Sequence, residues 1–122
     1  MPGVLDAVAD LARSLRVGPA FPVEVRFAAA DDLWLSTSFE ADNAYVAVHQ
    51  YAPMPHEELM AGFAAICAEV GGRPHWGKLH DLGATELSAL YPRFDRVASL
   101  RRELDPDGLL LNAHLRHVFG ED

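Results

Sequence analysis

The sequence predicts an α+β fold in which an antiparallel sheet has helices packed on one face. Three observations lead to this class. Short stretches of the first half alternate between apolar and polar residues, as half-buried strands do. Longer stretches repeat apolar residues every three or four positions, as helices do. The strands are few and lie between helical segments, which favours an α+β layer.

The first half of the chain contains the predicted strands. A helix is predicted over residues 4–17 and ends at Gly18-Pro19. Residues 22–28 then alternate, which predicts a strand with Val23, Val25 and Phe27 on its buried face. Residues 33–38 are a candidate second strand. Residues 44–51 are aromatic and β-branched, so they are predicted to form the third strand.

The second half is predicted to be helical, with turn residues between its helices. Gly71-Gly72 ends one helix, Pro92 separates two others, and the D-P-D-G sequence at 105–108 is a strong turn signal. Residues 73–79 are predicted to be extended or irregular. The predicted helices cover residues 56–70, 85–90, 94–104 and 113–119.

Length and composition limit the classes of function. The 122 residues suit a single domain, 1–122, and a net charge of −8 makes nucleic acid an unlikely partner because like charges repel. No glycine-rich phosphate loop is present. The amino-terminal residues lack the pattern of a signal peptide and no apolar run is long enough to span a membrane, so we expect a cytoplasmic protein.

The first candidate site is the pair Glu24 and Arg26, which share one face of the first strand because they are two residues apart. A surface ion pair, worth under about 1 kcal/mol, is one interpretation. The other is that this polar face lines a pocket, where Arg26 holds an anion or a carbonyl and Glu24 orients a hydroxyl.

The second candidate site is the stretch 73–80, in which His75, Trp76 and Lys78 follow a glycine-rich helix end. Either these side chains face a ligand, or Trp76 packs into the core and the other two are solvated. The third candidate is His49 with Tyr51 on the third predicted strand. A strand histidine is more often structural than catalytic, although imidazole suits proton transfer near neutral pH.

Two further features are given structural interpretations. His114 and His117 are three residues apart on the last helix, and His75 and His80 precede them, but a metal needs three or four convergent ligands. We therefore expect surface histidines and no metal site. Cys67, the single cysteine, cannot form an intramolecular disulfide and is expected to be a small buried apolar residue.

Several segments together carry a family resemblance. The chain resembles, over nearly its whole length, the C-terminal part of the FAD-linked D-arabinono-1,4-lactone oxidase and alditol oxidase family of the vanillyl-alcohol-oxidase superfamily. The H-W-G-K sequence at 75–78 and the downstream D-P-D-G turn are its most specific parts. The segments, in order, are E-V-R, D-D-L-W-L-S, V-H, G-R-P-H-W-G-K, Y-P-R-F, L-D-P-D-G and L-N.

The resemblance implies an oxidoreductase, a flavoprotein whose FAD is bound mainly by another domain that acts in cis or in trans. It implies that Glu24, Arg26, His49 and Lys78 are catalytic and that the substrate is a sugar lactone or polyol. Arg26 or Lys78 would place a fixed cation beside the reduced flavin, and Glu24 or His49 would orient or deprotonate the hydroxyl. The implied substrate-binding residues are Tyr51, His75 and Trp76. Membrane association also occurs in the family.

Two functional hypotheses therefore stay open. The chain is the substrate-side domain of such an oxidase, or it is a stand-alone binding or dimerisation module without redox chemistry. Because it lacks a phosphate loop, it is expected to be inactive by itself. Apolar surface that normally faces a partner would favour self-association.

Overall fold

The computed structural model describes residues 2–121 and contains five helices and one two-stranded antiparallel sheet. The predicted α+β class is confirmed. The chain forms two compact units: the first comprises residues up to 30 together with 41–72, and the second comprises 31–40 together with the residues from 73 onward. None of the described helices combines the length and the apolar character needed to cross a bilayer.

The first unit contains α1 (Pro2–Ser14), β1 (Glu24–Ala28), β2 (Asn43–Ala47) and α2 (Glu57–Glu69). The two helices pack on one another, and each contributes one buried apolar side chain, Val8 and Leu59. Gly62 permits this contact, since a Cβ at that position would lie 2.6 Å from a Leu11 methyl group. Helix α1 ends at Ser14, earlier than predicted, and the Ser14 hydroxyl donates to the Leu11 carbonyl in its last turn.

The sheet is shorter than the sequence predicts. Strand β1 pairs with β2 so that Glu24 lies opposite Ala47, and the pairing stops there. In this register the next residues of β2 would face Val23 and Pro22, and a proline has no N–H to donate to the ladder. The prediction that His49 and Tyr51 belong to the third strand is therefore wrong.

The prediction that Phe27 lies on the buried face of the first strand is also wrong. Val23 and Val25 are half-buried, but Phe27 is 78% exposed. A ribbon of two short strands offers little surface for packing, and Phe27 lies in the fourth of its five residue pairs.

Residues 33–38 form a turn in the second unit, so the candidate strand there is wrong. The carboxylate of Asp31 accepts hydrogen bonds from the Leu33 N–H at 3.0 Å and from the Ser36 hydroxyl at 2.5 Å. Asp31 also forms an isolated bridge with Phe39. A side chain that satisfies its own following backbone favours a turn over a strand.

The second unit contains α3 (Ala84–Leu90), α4 (Phe94–Leu104) and α5 (Ala113–Phe119), close to the predicted bounds. Its core consists of Leu87, Tyr91, Phe94 and Val118. The predicted D-P-D-G turn is present: the Asp105 carboxylate accepts from two following backbone N–H groups, at 2.8 and 3.0 Å. These bonds, that of Leu110 first, lower the pKa of Asp105.

Replacing Leu87 by alanine tests this core. The side chain is fully buried, so Leu87→Ala is expected to lower the free energy of unfolding by about 2–5 kcal/mol through lost burial and a cavity. Leu109→Ala is the control: Leu109 is 83% exposed, and the change should stay within about 0.5 kcal/mol. Urea denaturation measures both values, and equal effects would contradict the core assignment.

Candidate functional site

The first predicted pair lies on β1 as an ion pair. The Nε and Nη2 atoms of Arg26 both contact the Oε1 atom of Glu24, as their spacing along one strand face allows. The Arg26 side chain is nevertheless 74% exposed. Glu24 therefore restrains the guanidinium at a surface where it can still meet an external anion or carbonyl.

His49 and Tyr51 flank a residue that the sequence analysis missed. Gln50 donates to the Gly18 carbonyl at 3.0 Å, and its own side-chain oxygen accepts from the backbone N–H of Ala20 and of Tyr51, each at 3.1 Å. These bonds fix the segment after β2 to the segment after α1. His49 is half-buried and Tyr51 is exposed. For these hydrogen bonds of Gln50, the sequence offers one signal, which is a glutamine next to a candidate histidine.

His75, Trp76, Gly77 and Lys78 form a turn in the second unit, which we call the HWGK turn. The backbone N–H of Lys78 donates to the His75 carbonyl at 2.9 Å, and the N–H of Gly77 donates to His75 Nδ1 at 3.1 Å. The His75 ring is thereby fixed with Nδ1 as the acceptor. The side chains of His75 and Lys78 are exposed.

The core of the second unit holds this turn in place. The indole N–H of Trp76 donates to the Leu35 carbonyl at 2.8 Å, and its ring lies 4.8 Å from that of Tyr91. The Tyr91 hydroxyl donates to the Pro74 carbonyl at 3.0 Å. The guanidinium of Arg73 lies 5.3 Å from the centre of the Tyr91 ring. Trp76 thus anchors the turn, and a role for it in binding substrate stays a prediction.

Arg73 is a second structural anchor. Its guanidinium donates to the carbonyls of Leu90 at 3.0 Å, Phe39 at 3.1 Å and Thr37 at 3.3 Å. It therefore joins the start of the turn segment to the end of α3 and to the loop that contains residues 31–40. The sequence analysis assigned no role to Arg73, because its partners are backbone atoms distant in sequence.

A shallow, open hollow of about 440 Å³ lies beside Lys78. It is lined by Trp76, Gly77, Lys78, Leu79 and His114. Its lining is mostly apolar. The polar side chains among the lining residues are those of Lys78 and His114. The approach of His114 was missed, because spacing along the chain does not show which loop a helix will meet.

His80 packs behind His114. Their ring centres are 5.3 Å apart at 64°, and neither ring nitrogen of His80 has a hydrogen-bond partner among residues 2–121. Burial lowers the pKa of His80, and the nearby His114 and His117 lower it further, against an opposing effect of Asp81. Together these effects favour the neutral form of the His80 ring.

Two expectations from the sequence concern the histidines of the second half and Cys67. In the described part of the chain, no three His, Cys, Asp or Glu side chains converge as metal ligands. The ring of His117 instead lies 3.4 Å from the Asp81 carbonyl. Cys67 is half-buried on α2, and burial raises the pKa of its thiol, which suits a packing role and not that of a nucleophile.

The predicted site residues fall into two groups. Glu24, Arg26, His49 and Tyr51 belong to the first unit, whereas His75, Trp76 and Lys78 belong to the second. In the first unit, the structure brings Arg26 together with Glu24. In the second unit, it places His75, Trp76 and Lys78 in one turn. That the two groups meet at a single site stays a prediction.

Comparison with known proteins identifies the class. A family model described as D-arabinono-1,4-lactone oxidase matches residues 1–118. The chain is 46% identical over 116 residues to an L-gulono-1,4-lactone dehydrogenase of Mycobacterium tuberculosis, covering 95% of this chain and 27% of that protein. It is 38% identical over 120 residues to the L-gulonolactone oxidase of Bos taurus, covering 95% and 27%. It is 36% identical over 99 residues to an alditol oxidase of a Streptomyces species, covering 79% and 23%.

Each of these three relatives is named as a lactone or alditol oxidoreductase. The chain belongs to the D-arabinono-1,4-lactone oxidase family, which confirms the resemblance found in the sequence. It spans about a quarter of the length of these relatives and corresponds to their C-terminal region.

The lowered pKa of His80 predicts a pH-dependent stability. Because its folded-state pKa lies below the ordinary value of 6.5, the unfolded chain takes up this proton first. Stability should therefore fall as the pH drops below that value. In thermal melts between about pH 7.5 and about pH 5, His80→Leu should flatten this decline.

The exposed neighbour Leu79 provides the control for the His80 experiment. Leu79→Ala removes no titrating group, so it should keep the wild-type dependence on pH. A decline that is unchanged in His80→Leu would contradict the assignment of the effect to this ring.

Proposed function

We propose that this chain is the substrate-side segment of an FAD-dependent enzyme that oxidises sugar lactones or alditols. The observation that carries the proposal is the HWGK turn, which core contacts fix while the ammonium of Lys78 stays exposed. Membership of a family whose relatives are lactone and alditol oxidoreductases supports it. A charged side chain on a rigid support is the arrangement that catalysis needs.

The residues present fit one side of a flavin site. A guanidinium and an ammonium suit the electron-rich edge of a flavin ring, because they are fixed positive donors. The hollow beside Lys78 is open and does not enclose a ligand. We infer that the FAD-binding region is a partner of this chain, in the same polypeptide or in trans, and that it holds most of the cofactor.

Bound FAD would supply the acceptor for the two electrons that leave the substrate carbon. Arg26 or Lys78 would stabilise the negative charge that develops at the flavin edge and at the substrate oxygen. His49 or Glu24 would orient the substrate hydroxyl and take its proton. The contact between Glu24 and Arg26 gives Glu24 a second role, which is to keep the guanidinium in place.

Exposed apolar side chains agree with a partner surface. Phe27, Leu79, Leu109 and Leu110 are each more than three-quarters exposed in this chain. In each unit taken by itself, we assign these side chains to contact with the FAD-binding region. Light scattering of the isolated chain distinguishes the alternative: a discrete dimer that persists after the FAD-binding region is added would favour the stand-alone dimerisation module.

The proposed function predicts a loss of flavin reduction. In the FAD-loaded protein that carries this segment, Arg26→Ala and Lys78→Met are each expected to slow anaerobic flavin reduction by a lactone about 100-fold, the usual cost of one lost charge-stabilising donor. Stopped-flow absorbance at the flavin band measures the rate.

Arg13→Ala is the matched control. The Arg13 side chain is 71% exposed, close to that of Arg26, and forms an ion pair with Asp10 on α1. It has no proposed role in catalysis, so this variant should reduce flavin at the wild-type rate. Wild-type rates in both Arg26→Ala and Lys78→Met would overturn the proposed function.

A further inference from the structure

We propose that His114 is a further substrate-binding residue, which hydrogen-bonds a hydroxyl group of a polyhydroxylated lactone or alditol held beside Lys78. The inference rests on the proposed function and extends it to a residue outside the predicted set.

The geometry of the hollow carries the proposal. Among the residues that line it, Trp76, Gly77, Lys78 and Leu79 are consecutive in one turn segment. His114 alone comes from another element, the start of α5. His114 and Lys78 thus border the hollow from separate segments of the chain, which allows two polar side chains to contact one ligand.

His80 supports this position without competing for the ligand. Its ring meets the His114 ring edge to face, which restrains the orientation of His114. The nitrogens of His80 are shielded from solvent, so they are not available to a ligand in the hollow. His114, by contrast, is exposed.

The chemistry of the lining favours a sugar-like ligand. The Lys78 ammonium can only donate hydrogen bonds, whereas a neutral imidazole both donates and accepts. The Trp76 and Leu79 side chains offer apolar surface for the C–H groups of a sugar. A ligand with hydroxyl groups along one edge and C–H groups on its face satisfies all of these contacts.

The experiment compares substrates with and without the hydroxyl. In the FAD-loaded protein that carries this segment, kcat and KM are measured for an alditol substrate and for its singly deoxygenated analogues. His114→Phe should raise KM for the parent alditol about tenfold, with kcat changed less than about threefold. For one deoxy analogue, the wild type and the variant should have the same kcat/KM, because the hydroxyl that His114 binds is absent.

Two further variants separate binding from folding. His114→Gln keeps a side chain that donates and accepts hydrogen bonds, so it should recover part of the lost kcat/KM. His117→Gln, on the same helix but near the Asp81 carbonyl, should leave KM unchanged. A structural defect would not depend on one hydroxyl of the substrate.

The outcomes distinguish this inference from the proposed function. If Lys78→Met slows flavin reduction but His114→Phe keeps the wild-type KM and the wild-type discrimination among analogues, only the role of His114 is overturned. If neither Lys78→Met nor Arg26→Ala affects flavin reduction, the proposed function fails and the role of His114 fails with it.

Discussion

The buried side chain of Tyr91 is the contact on which the second unit depends. It is fully shielded from solvent, donates its hydroxyl hydrogen to the Pro74 carbonyl, and packs against the rings and charges of Trp76 and Arg73. Through these contacts one aromatic residue joins the helical core to an irregular segment. Without them, the segment that carries Lys78 would be held to the rest of the unit only by the hydrogen bonds of Arg73 and of the Trp76 indole.

This arrangement explains how a chain of modest size can present charged groups in fixed positions. A charged group on a mobile loop stabilises a bound ligand less, because the loop must be ordered each time the ligand binds. Lys78 follows an anchored tryptophan, and Arg26 lies on a strand beside the carboxylate of Glu24. Each unit thus restrains its own cation by a different physical means: packing in one, an ion pair in the other.

The sequence alone was sufficient to predict the helices whose local signals are strong. Pro92, the D-P-D-G turn and regular apolar spacing place α4 and α5. The sequence alone was insufficient where a side chain or a residue distant in sequence determines the backbone structure. Hydrogen bonds to the Asp31 carboxylate favour a turn at residues 33–38 over a strand. Pro22 has no N–H to extend the pairing as far as His49. Local patterns singled out the candidate site residues and the family resemblance assigned their roles, but no spacing rule brings His114 from α5 to the hollow beside Lys78.

The most direct test of the central claim is a crystal structure of the FAD-loaded protein that carries this segment, with a lactone bound. We expect the Arg26 guanidinium and the Lys78 ammonium, which come from different units, both to lie within about 3.5 Å of the flavin ring or the lactone. Guanidinium and ammonium groups that instead point to bulk solvent on separate surfaces would contradict it.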